Sequence, residues 1–229
     1  MGSEKVFGTT ADKVLLTPEP QRQTPALLLW PKDPPTRARA VVIAAPQGKD
    51  WVLLHYWPLI ESLRERGTAV MVVDAGFHGE LEAEWKWTQV IGRRPIAGIA
   101  ADDIRAANAY LRQRAGIEPS QITCVGLGDE GVSVLLAAAM DKNISATAAL
   151  RLGRTYASGR EEPFLPNILK YGDLPQIASL VAPRPLFLAG VNEIDFKSVA
   201  SNKNLRLESD TDSDGQKFLS WLDTLGQKK

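Results

Sequence analysis

Short runs of consecutive apolar residues recur along this chain, and segments with a helical spacing of apolar residues lie between them. A run that is apolar at almost every position is typical of a strand buried on both faces of a parallel sheet. The runs predicted to be strands are residues 25–30, 40–45, 68–74, 122–125, 146–150, 184–189 and 205–207.

The segments between these runs place apolar residues three and four positions apart, as on one face of a helix. One helix is predicted to hold Pro58 in its first turn and to end at Gly67. Asp102 or Asp103 is predicted to cap another helix, and Asp173 a short one. The residues predicted to face the core from helices are Leu59, Ile60, Leu63, Ile104, Ala107, Leu111, Phe218, Trp221, Leu222 and Leu225.

Repeated alternation of strand and helix predicts an α/β fold with right-handed crossovers. We expect a mostly parallel twisted sheet of about seven to eight strands with helices on both faces, a three-layer sandwich. A single domain is expected over residues 21–229, because a chain of 229 residues is within the usual range for one α/β domain. Residues 1–20, which are polar and include Pro18 and Pro20, are expected to be a leader or linker.

Composition narrows the possible functions. The 27 Lys and Arg residues balance the 27 Asp and Glu residues, so no net charge attracts nucleic acid or anionic lipid. The single cysteine, Cys124, lies in an apolar run and is expected to be an inert core thiol. No apolar run is long enough for a membrane span, and the polar amino terminus shows no signal-peptide pattern. We therefore expect no nucleic-acid partner, no membrane span and no cofactor.

Residues 126–131, Gly-Leu-Gly-Asp-Glu-Gly, follow a predicted strand and begin the predicted helix over 130–140. This segment, which we call the elbow, allows two interpretations. Gly126, Gly128 and Gly131 match G-x-G-x-x-G, the turn that binds a dinucleotide pyrophosphate, and Arg151 and Arg154 would then be available to a 2′-phosphate. The alternative is the strand–turn–helix of a nucleophile elbow, G-x-S-x-G.

Other segments favour the second interpretation. Residues 41–48, 72–79, 102–111 and 182–190 resemble, in order, the oxyanion loop, the D-x-R-G-x-G turn, the helix before the elbow and the acid-bearing strand of α/β-hydrolases. Over residues 24–225 the chain is similar to bacterial esterases of the acetyl xylan esterase and dienelactone hydrolase type. The resemblance implies an α/β-hydrolase fold, a carboxylic ester hydrolase activity and a secreted or periplasmic location.

The catalytic residues of that family are not matched. Gly128 occupies the position of the serine, and a glycine has no nucleophile. The triad histidine is expected within residues 208–215, which contain none; the chain has two histidines, His55 and His78. The acid position is matched by Asp195, or by Glu193. A conventional Ser-His-Asp triad is therefore predicted to be absent.

Three functions follow from this pattern. The favoured one is a catalytically degenerate hydrolase-fold domain that binds a carbohydrate or packs against a catalytic hydrolase domain of the same full-length protein. The alternative is an ester hydrolase with a non-standard site built from His78, Asp129 and Asp195, in a pocket that Gln47 and Gly128 also line. The second alternative is an NAD(P)-binding Rossmann-type domain.

Two further motifs were considered for binding. Asp210, Asp212 and Asp214 match the opening of a calcium loop, D-x-D-x-D-G, but the twelfth position is Trp221 rather than an acid. The simpler interpretation is an acidic loop whose last carboxylate caps the final helix. The tryptophans are expected mainly to pack in the core, although indole rings also stack on sugars; those considered for a sugar-binding face are Trp51, Trp57, Trp85 and Trp87.

Overall fold

The computed structural model describes residues 2–81, 94–199 and 203–225. The strands are β1 (Ser3–Val6), β2 (Thr9–Glu19), β3 (Arg22–Leu29), β4 (Ala38–Ala44), β5 (Thr68–Val73), β6 (Ile117–Leu127), β7 (Ala146–Leu150), β8 (Leu186–Ala189) and β9 (Leu205–Glu208). The helices are α1 (Lys49–His55), α2 (Trp57–Glu65), α3 (Ile96–Gln113), α4 (Glu130–Met140), α5 (Leu174–Ser179) and α6 (Gln216–Leu225).

The described strands form a single nine-stranded sheet in the order β1-β2-β3-β5-β4-β6-β7-β8-β9. The pairs β1–β2, β2–β3 and β3–β5 are antiparallel. The remaining pairs, β5–β4, β4–β6, β6–β7, β7–β8 and β8–β9, are parallel. The mostly parallel sheet is confirmed, with slightly more strands than predicted.

Helices cover both faces of the sheet. One buried cluster includes residues of α3, α4 and α5, and a second includes residues of α1, α2 and α6. Alternate residues of the central strands belong to opposite clusters, for example Val42 to the first and Val41 and Ile43 to the second. This division explains why the central runs are apolar at every position, since a strand between two helical layers buries both faces.

The amino-terminal segment differs from the prediction. Residues 1–20 were expected to be a leader or linker, but β1 and β2 lie within them and extend the sheet. On β2, the buried residues Ala11, Val14 and Leu16 are separated by more exposed positions. An antiparallel strand with one solvated face needs few apolar residues, so β2 lacks the continuous run by which the buried strands were predicted.

The start of α3 also differs from the prediction. The helix begins at Ile96 with Pro95 as its N-cap residue, so Asp102 and Asp103 lie inside it rather than capping it. The predicted core face of Ile104, Ala107 and Leu111 is buried, as expected.

Two local predictions agree with the structure. Asp173 caps α5 in a capping box, in which Gln176 accepts a hydrogen bond from the Asp173 amide. Cys124 is fully buried, and burial raises the pKa of its thiol, in keeping with an inert core residue. No helix in the described part of the chain is long and apolar enough to cross a membrane.

Candidate functional site at the carboxyl edge of the sheet

The elbow lies between β6 and α4, at the edge of the sheet where the parallel strands end. Gly128 has φ of 58° and donates its amide hydrogen bond to the Leu150 carbonyl, 2.9 Å away. A Cβ added at Gly128 would meet no atom within 4 Å, whereas a Cβ at Gly126 would lie 2.1 Å from the Glu130 carbonyl oxygen. The elbow therefore has a crowded base and an apex that opens onto free space with no side chain.

Asp129, the residue after the apex, pairs with a buried arginine. One of its carboxylate oxygens lies 3.1 Å from Arg160 Nη1, and the Arg160 side chain is only 6% exposed. The same guanidinium group also donates to the carbonyls of Leu152, Arg154 and Glu162. Arg160 thus connects the loop after β7 to the elbow, and Asp129 is held in an ion pair with it.

Burial raises the pKa of Asp129, and the charge of Arg160 acts in the opposite direction. Replacing Arg160 with glutamine is therefore expected to raise the pKa of Asp129 further, because the desolvation remains while the cation is removed. Carboxyl-carbon NMR titration of Asp129 measures this shift. Arg105→Gln, which alters an arginine paired with Asp102, is the control and should leave the titration of Asp129 unchanged. An unchanged or lowered pKa in Arg160→Gln would contradict the prediction.

His78 contacts Glu130 rather than either carboxylate predicted from the sequence. Its Nε2 lies 3.3 Å from Oε1 of Glu130, the first residue of α4. The Glu130 side chain is only 4% exposed, and its second oxygen has no hydrogen-bond partner among the described residues. His78 is 24% exposed, so the pair links a buried carboxylate to an accessible imidazole. A carboxylate beside an imidazole orients the ring.

Sequence reasoning did not select Glu130. The signal was present, because Glu130 occupies a position where the esterase elbow Val-Gly-x-Ser-x-Gly-Gly has glycine. A large acidic side chain at a position that normally carries none indicates a new contact.

The other predicted triad members lie elsewhere. Asp195 accepts a hydrogen bond from Ser158 Oγ at 3.1 Å, and Glu193 is exposed. His55 is the exposed last residue of α1. Its ring stacks on Trp51 at 4.6 Å between centroids. Among the residues described, His78 contacts Glu130, Asp129 pairs with Arg160, and Asp195 accepts from Ser158.

A buried ion cluster, missed by sequence reasoning, lies beneath the loop that follows β4. Asp74 is fully buried and accepts hydrogen bonds from the Lys49 amide at 2.6 Å, from Lys49 Nζ at 3.2 Å and from the Glu80 amide at 3.1 Å. Lys49 Nζ also contacts the Glu80 carboxylate. Burial alone lowers the pKa of Lys49, but Glu80 and Asp74 outweigh burial and raise it above 10.5.

The Lys49 cluster joins two loops of the predicted pocket. It links the turn after β4 to the turn after β5 that carries His78. Gln47, predicted to line the pocket, is exposed in the turn just before the cluster.

The acidic loop before α6 serves as a helix cap. Asp212 is buried and accepts the amide hydrogen bonds of Lys217 and Phe218, at 2.9 and 2.7 Å. Asp210 pairs with the Lys217 ammonium, and Asp214 accepts from the Gln216 amide. The main capping carboxylate is thus Asp212 rather than the last one of the loop. In the described ranges, no three His, Cys, Asp or Glu side chains are grouped as they would be around a metal ion.

A shallow open depression of about 450 Å³ borders the elbow. Charged residues of both signs line it, namely Asp129, Arg151, Arg154, Arg160, Glu161 and Glu162. Arg151 is exposed and lies 3.4 Å from the Tyr56 hydroxyl. Trp85 and Trp87, considered for a sugar-binding face, lie outside the described residues.

The topology does not support the dinucleotide interpretation. The elbow follows β6, with β1–β5 before it in the chain, whereas the dinucleotide fingerprint follows the first strand of its domain. The strand order also differs from that of a Rossmann sheet.

Comparison with known proteins gives the same fold. No protein-family model and no curated protein matches the sequence. Solved structures do match. A protein assigned as an acetyl xylan esterase from Bacteroides fragilis superposes with a TM-score of 0.75 at 14% identity, over 98% of this chain and 81% of its own. A glucuronoyl esterase from Solibacter usitatus gives 0.71 at 14% identity, over 97% and 84%.

A third match covers nearly the whole of both chains. Est1E from Butyrivibrio proteoclasticus gives a TM-score of 0.62 at 15% identity, over 93% of this chain and 95% of its own. Identities this low carry information about the fold alone. The shared architecture, together with the strand–elbow–helix arrangement at its centre, identifies this chain as having the α/β-hydrolase fold.

Proposed function

We propose that this chain is a catalytically degenerate α/β-hydrolase-fold domain whose former catalytic face serves in binding. The observation that carries the proposal is Gly128 at the apex of the elbow, with φ of 58° and free space around its Cα. The backbone shape of a nucleophile elbow is present there without a nucleophile. The segment 208–215, in which the triad histidine was expected, contains none.

The direct test is hydrolysis of p-nitrophenyl acetate by the purified chain. We expect no turnover above the buffer rate, and no change in His78→Ala, because acyl transfer through a triad requires a nucleophile and a base in contact. Turnover that purifies with the chain and is lost in His78→Ala would contradict the proposal.

Restoring the serine tests whether the missing nucleophile is the only defect. Gly128→Ser is expected to fold, since the added side chain enters free space, at a cost of about 1–2 kcal/mol for a left-handed backbone. We expect it to remain inactive, because Ser alone is not activated without an adjacent base. Burst-phase release of p-nitrophenol from Gly128→Ser would contradict this.

The ligand proposed for the binding face is a carbohydrate. Arg154 and Glu161 line the depression beside the elbow and are exposed. The guanidinium can donate hydrogen bonds to the hydroxyl groups of a sugar, and the carboxylate can accept them. Two structural neighbours have names that refer to xylan and glucuronoyl esters, so xylohexaose is the probe we propose. The control is Lys142→Ala, because Lys142 is exposed and does not line the depression. Calorimetric binding that weakens in the double variant Arg154→Ala/Glu161→Ala, but not in Lys142→Ala, supports the proposal. Binding unaffected by the double variant argues against this face.

If xylohexaose does not bind, the second form of the proposal applies, in which the domain packs against a catalytic hydrolase domain. Co-purification of the two separately expressed domains of the full-length protein tests it.

One observation favours a second candidate, an ester hydrolase with a non-standard site. The contact between His78 and Glu130 is a carboxylate–imidazole pair of the kind that orients a general base. In this function His78 would deprotonate a water molecule, and Glu130 would hold the ring. Glu130→Gln and His78→Ala would then lower the rate together and without additivity. Equal rates in both variants and the unmodified chain exclude this candidate.

A further inference from the structure

A cavity of about 200 Å³ lies at the opposite end of the sheet from the elbow. Its walls come from the amino-terminal parts of β4, β5 and β7, from the middle of β6 and from the last turns of α6. It shares no residue with the depression beside the elbow. Any ligand bound there would be independent of the function proposed above.

One charged residue, Arg39, lines this cavity among the described residues. Its Nη1 donates a long hydrogen bond of 3.3 Å to the Leu222 carbonyl, and its Nη2 lies 3.7 Å from Asp223, beyond hydrogen-bond range. Asp223 has a closer partner in Arg66. A guanidinium has five N–H donors, so within the described part of the chain Arg39 has donors left for a ligand.

The rest of the lining is amphipathic. Hydroxyl and amide groups come from Thr68, Gln121 and Ser145, and apolar surface comes from Val41 and Leu222. The Thr68 hydroxyl is buried and makes no hydrogen bond within the described part of the chain. A buried polar atom without a partner is uncommon and calls for an explanation such as a bound molecule.

We propose that this cavity binds a small amphipathic monocarboxylate, with the carboxylate at Arg39 and the apolar body against the ends of the strands and α6. Arg39 is the one charged residue of the described lining, and a guanidinium can bind a carboxylate with two parallel N–H donors. Since an apolar cavity of about 150 Å³ holds benzene, the space suits a molecule of the size of benzoate or hexanoate.

The test uses 4-fluorobenzoate as the probe and fluorine NMR as the measurement on the complete chain. We expect saturable binding with Kd near or below about 1 mM, weakened about tenfold or more in Arg39→Met. The control variant is Arg37→Met, because Arg37 is exposed, pairs with Glu118 and lies outside the cavity lining. It is expected to bind as the unmodified chain does. The uncharged analogue 4-fluorobenzyl alcohol is expected to bind much more weakly than the acid.

Amide chemical-shift mapping locates the probe. Changes centred on Thr68, Ser145 and Leu222 support the proposal, and changes centred on the elbow overturn it. No saturable binding, or equal affinity in Arg39→Met and the unmodified chain, also overturns it. If Arg39→Met does not fold, Ser145→Leu serves as the second variant. It places a larger side chain on the cavity wall and is expected to exclude the probe. Undiminished binding by that variant overturns the proposal.

Discussion

Replacing Lys49 with methionine is expected to destabilise the protein by about 3–5 kcal/mol, the usual cost of removing one member of a buried ion pair. Methionine preserves much of the side-chain length and removes the charge. Asp74, which is fully buried, would then lose the ammonium that compensates it. The measurement is the free energy of unfolding from urea denaturation followed by far-UV circular dichroism.

Lys32→Met is the matched control. Lys32 also contacts two carboxylates, those of Glu61 and Glu65, but it does so at the surface. Solvent screens such pairs, so we expect nearly unchanged stability. A similar loss in both variants would show that the Lys49 cluster has no special role.

The stabilisation that Lys49 provides depends on pH in a definite direction. Because the folded-state pKa of Lys49 is raised above 10.5, its stabilising contribution is fully present below that pH and is lost only as the pH rises beyond it. The difference in stability between the unmodified chain and Lys49→Met should therefore persist through neutral pH.

Replacing Asp103 with alanine is expected to cost a similar amount, about 3–5 kcal/mol. Asp103 is buried within α3 and accepts hydrogen bonds from Thr24 Oγ1 at 2.7 Å and from the Gly76 amide at 2.9 Å. It also pairs with Arg22, whose side chain is only 11% exposed. Alanine would leave a buried guanidinium, a hydroxyl and an amide without their acceptor. Urea denaturation again measures the effect.

The pair with Arg22 is best tested by a double variant. Arg22→Met/Asp103→Leu removes both charges, and replacing a buried pair with apolar side chains is often neutral or favourable. We expect the double variant to be more stable than Asp103→Ala. A double variant no better than Asp103→Ala would assign the loss to Thr24 and Gly76 instead.

Asp102 provides the control from the same helix. It pairs with Arg94 and Arg105 on a more exposed surface. Asp102→Ala is expected to cost about 0–1 kcal/mol, as for other surface ion pairs.

These two clusters hold the turn after β5 from opposite sides. Asp74 binds Lys49 and the Glu80 amide, while Asp103 binds the Gly76 amide. His78 lies between Gly76 and Glu80 and is thereby placed beside Glu130. Both clusters therefore support the turn that carries His78, while the apex of the elbow is Gly128.

The local elements followed closely from the sequence. The helix Glu130–Met140 and the strand Ala146–Leu150 have the predicted bounds, because an alanine-rich segment and a continuous apolar run are local signals. The strand predicted over 25–30 is instead Arg22–Leu29, and Pro25 lies within it. Where a strand begins and ends depends on its pairing with neighbouring strands. The sequence of the strand alone carries no information about that pairing.

The contacts of the candidate site were predicted less well. Asp195 was grouped with His78 from its place after β8, yet it binds Ser158 of a different loop. Lys49 was not selected from the sequence, and Asp103 was predicted only as a possible helix cap. Lys49 and its partner Asp74 are 25 residues apart in the chain. Asp103 and its partner Thr24 are 79 residues apart. Contacts at such separations leave no periodic trace in the chain.

The sequence by itself determined the alternation of buried strands and helices. It also has glycine at residue 128, where the esterases that it resembles have serine. The tertiary structure decided that the amino-terminal segment extends the sheet, that His78 meets Glu130, and that Lys49 and Asp103 are buried among partners. Periodicity reports which face of an element is buried. It does not report which distant carboxylate comes to lie against which cation, because that depends on how the loops meet at the edge of the sheet.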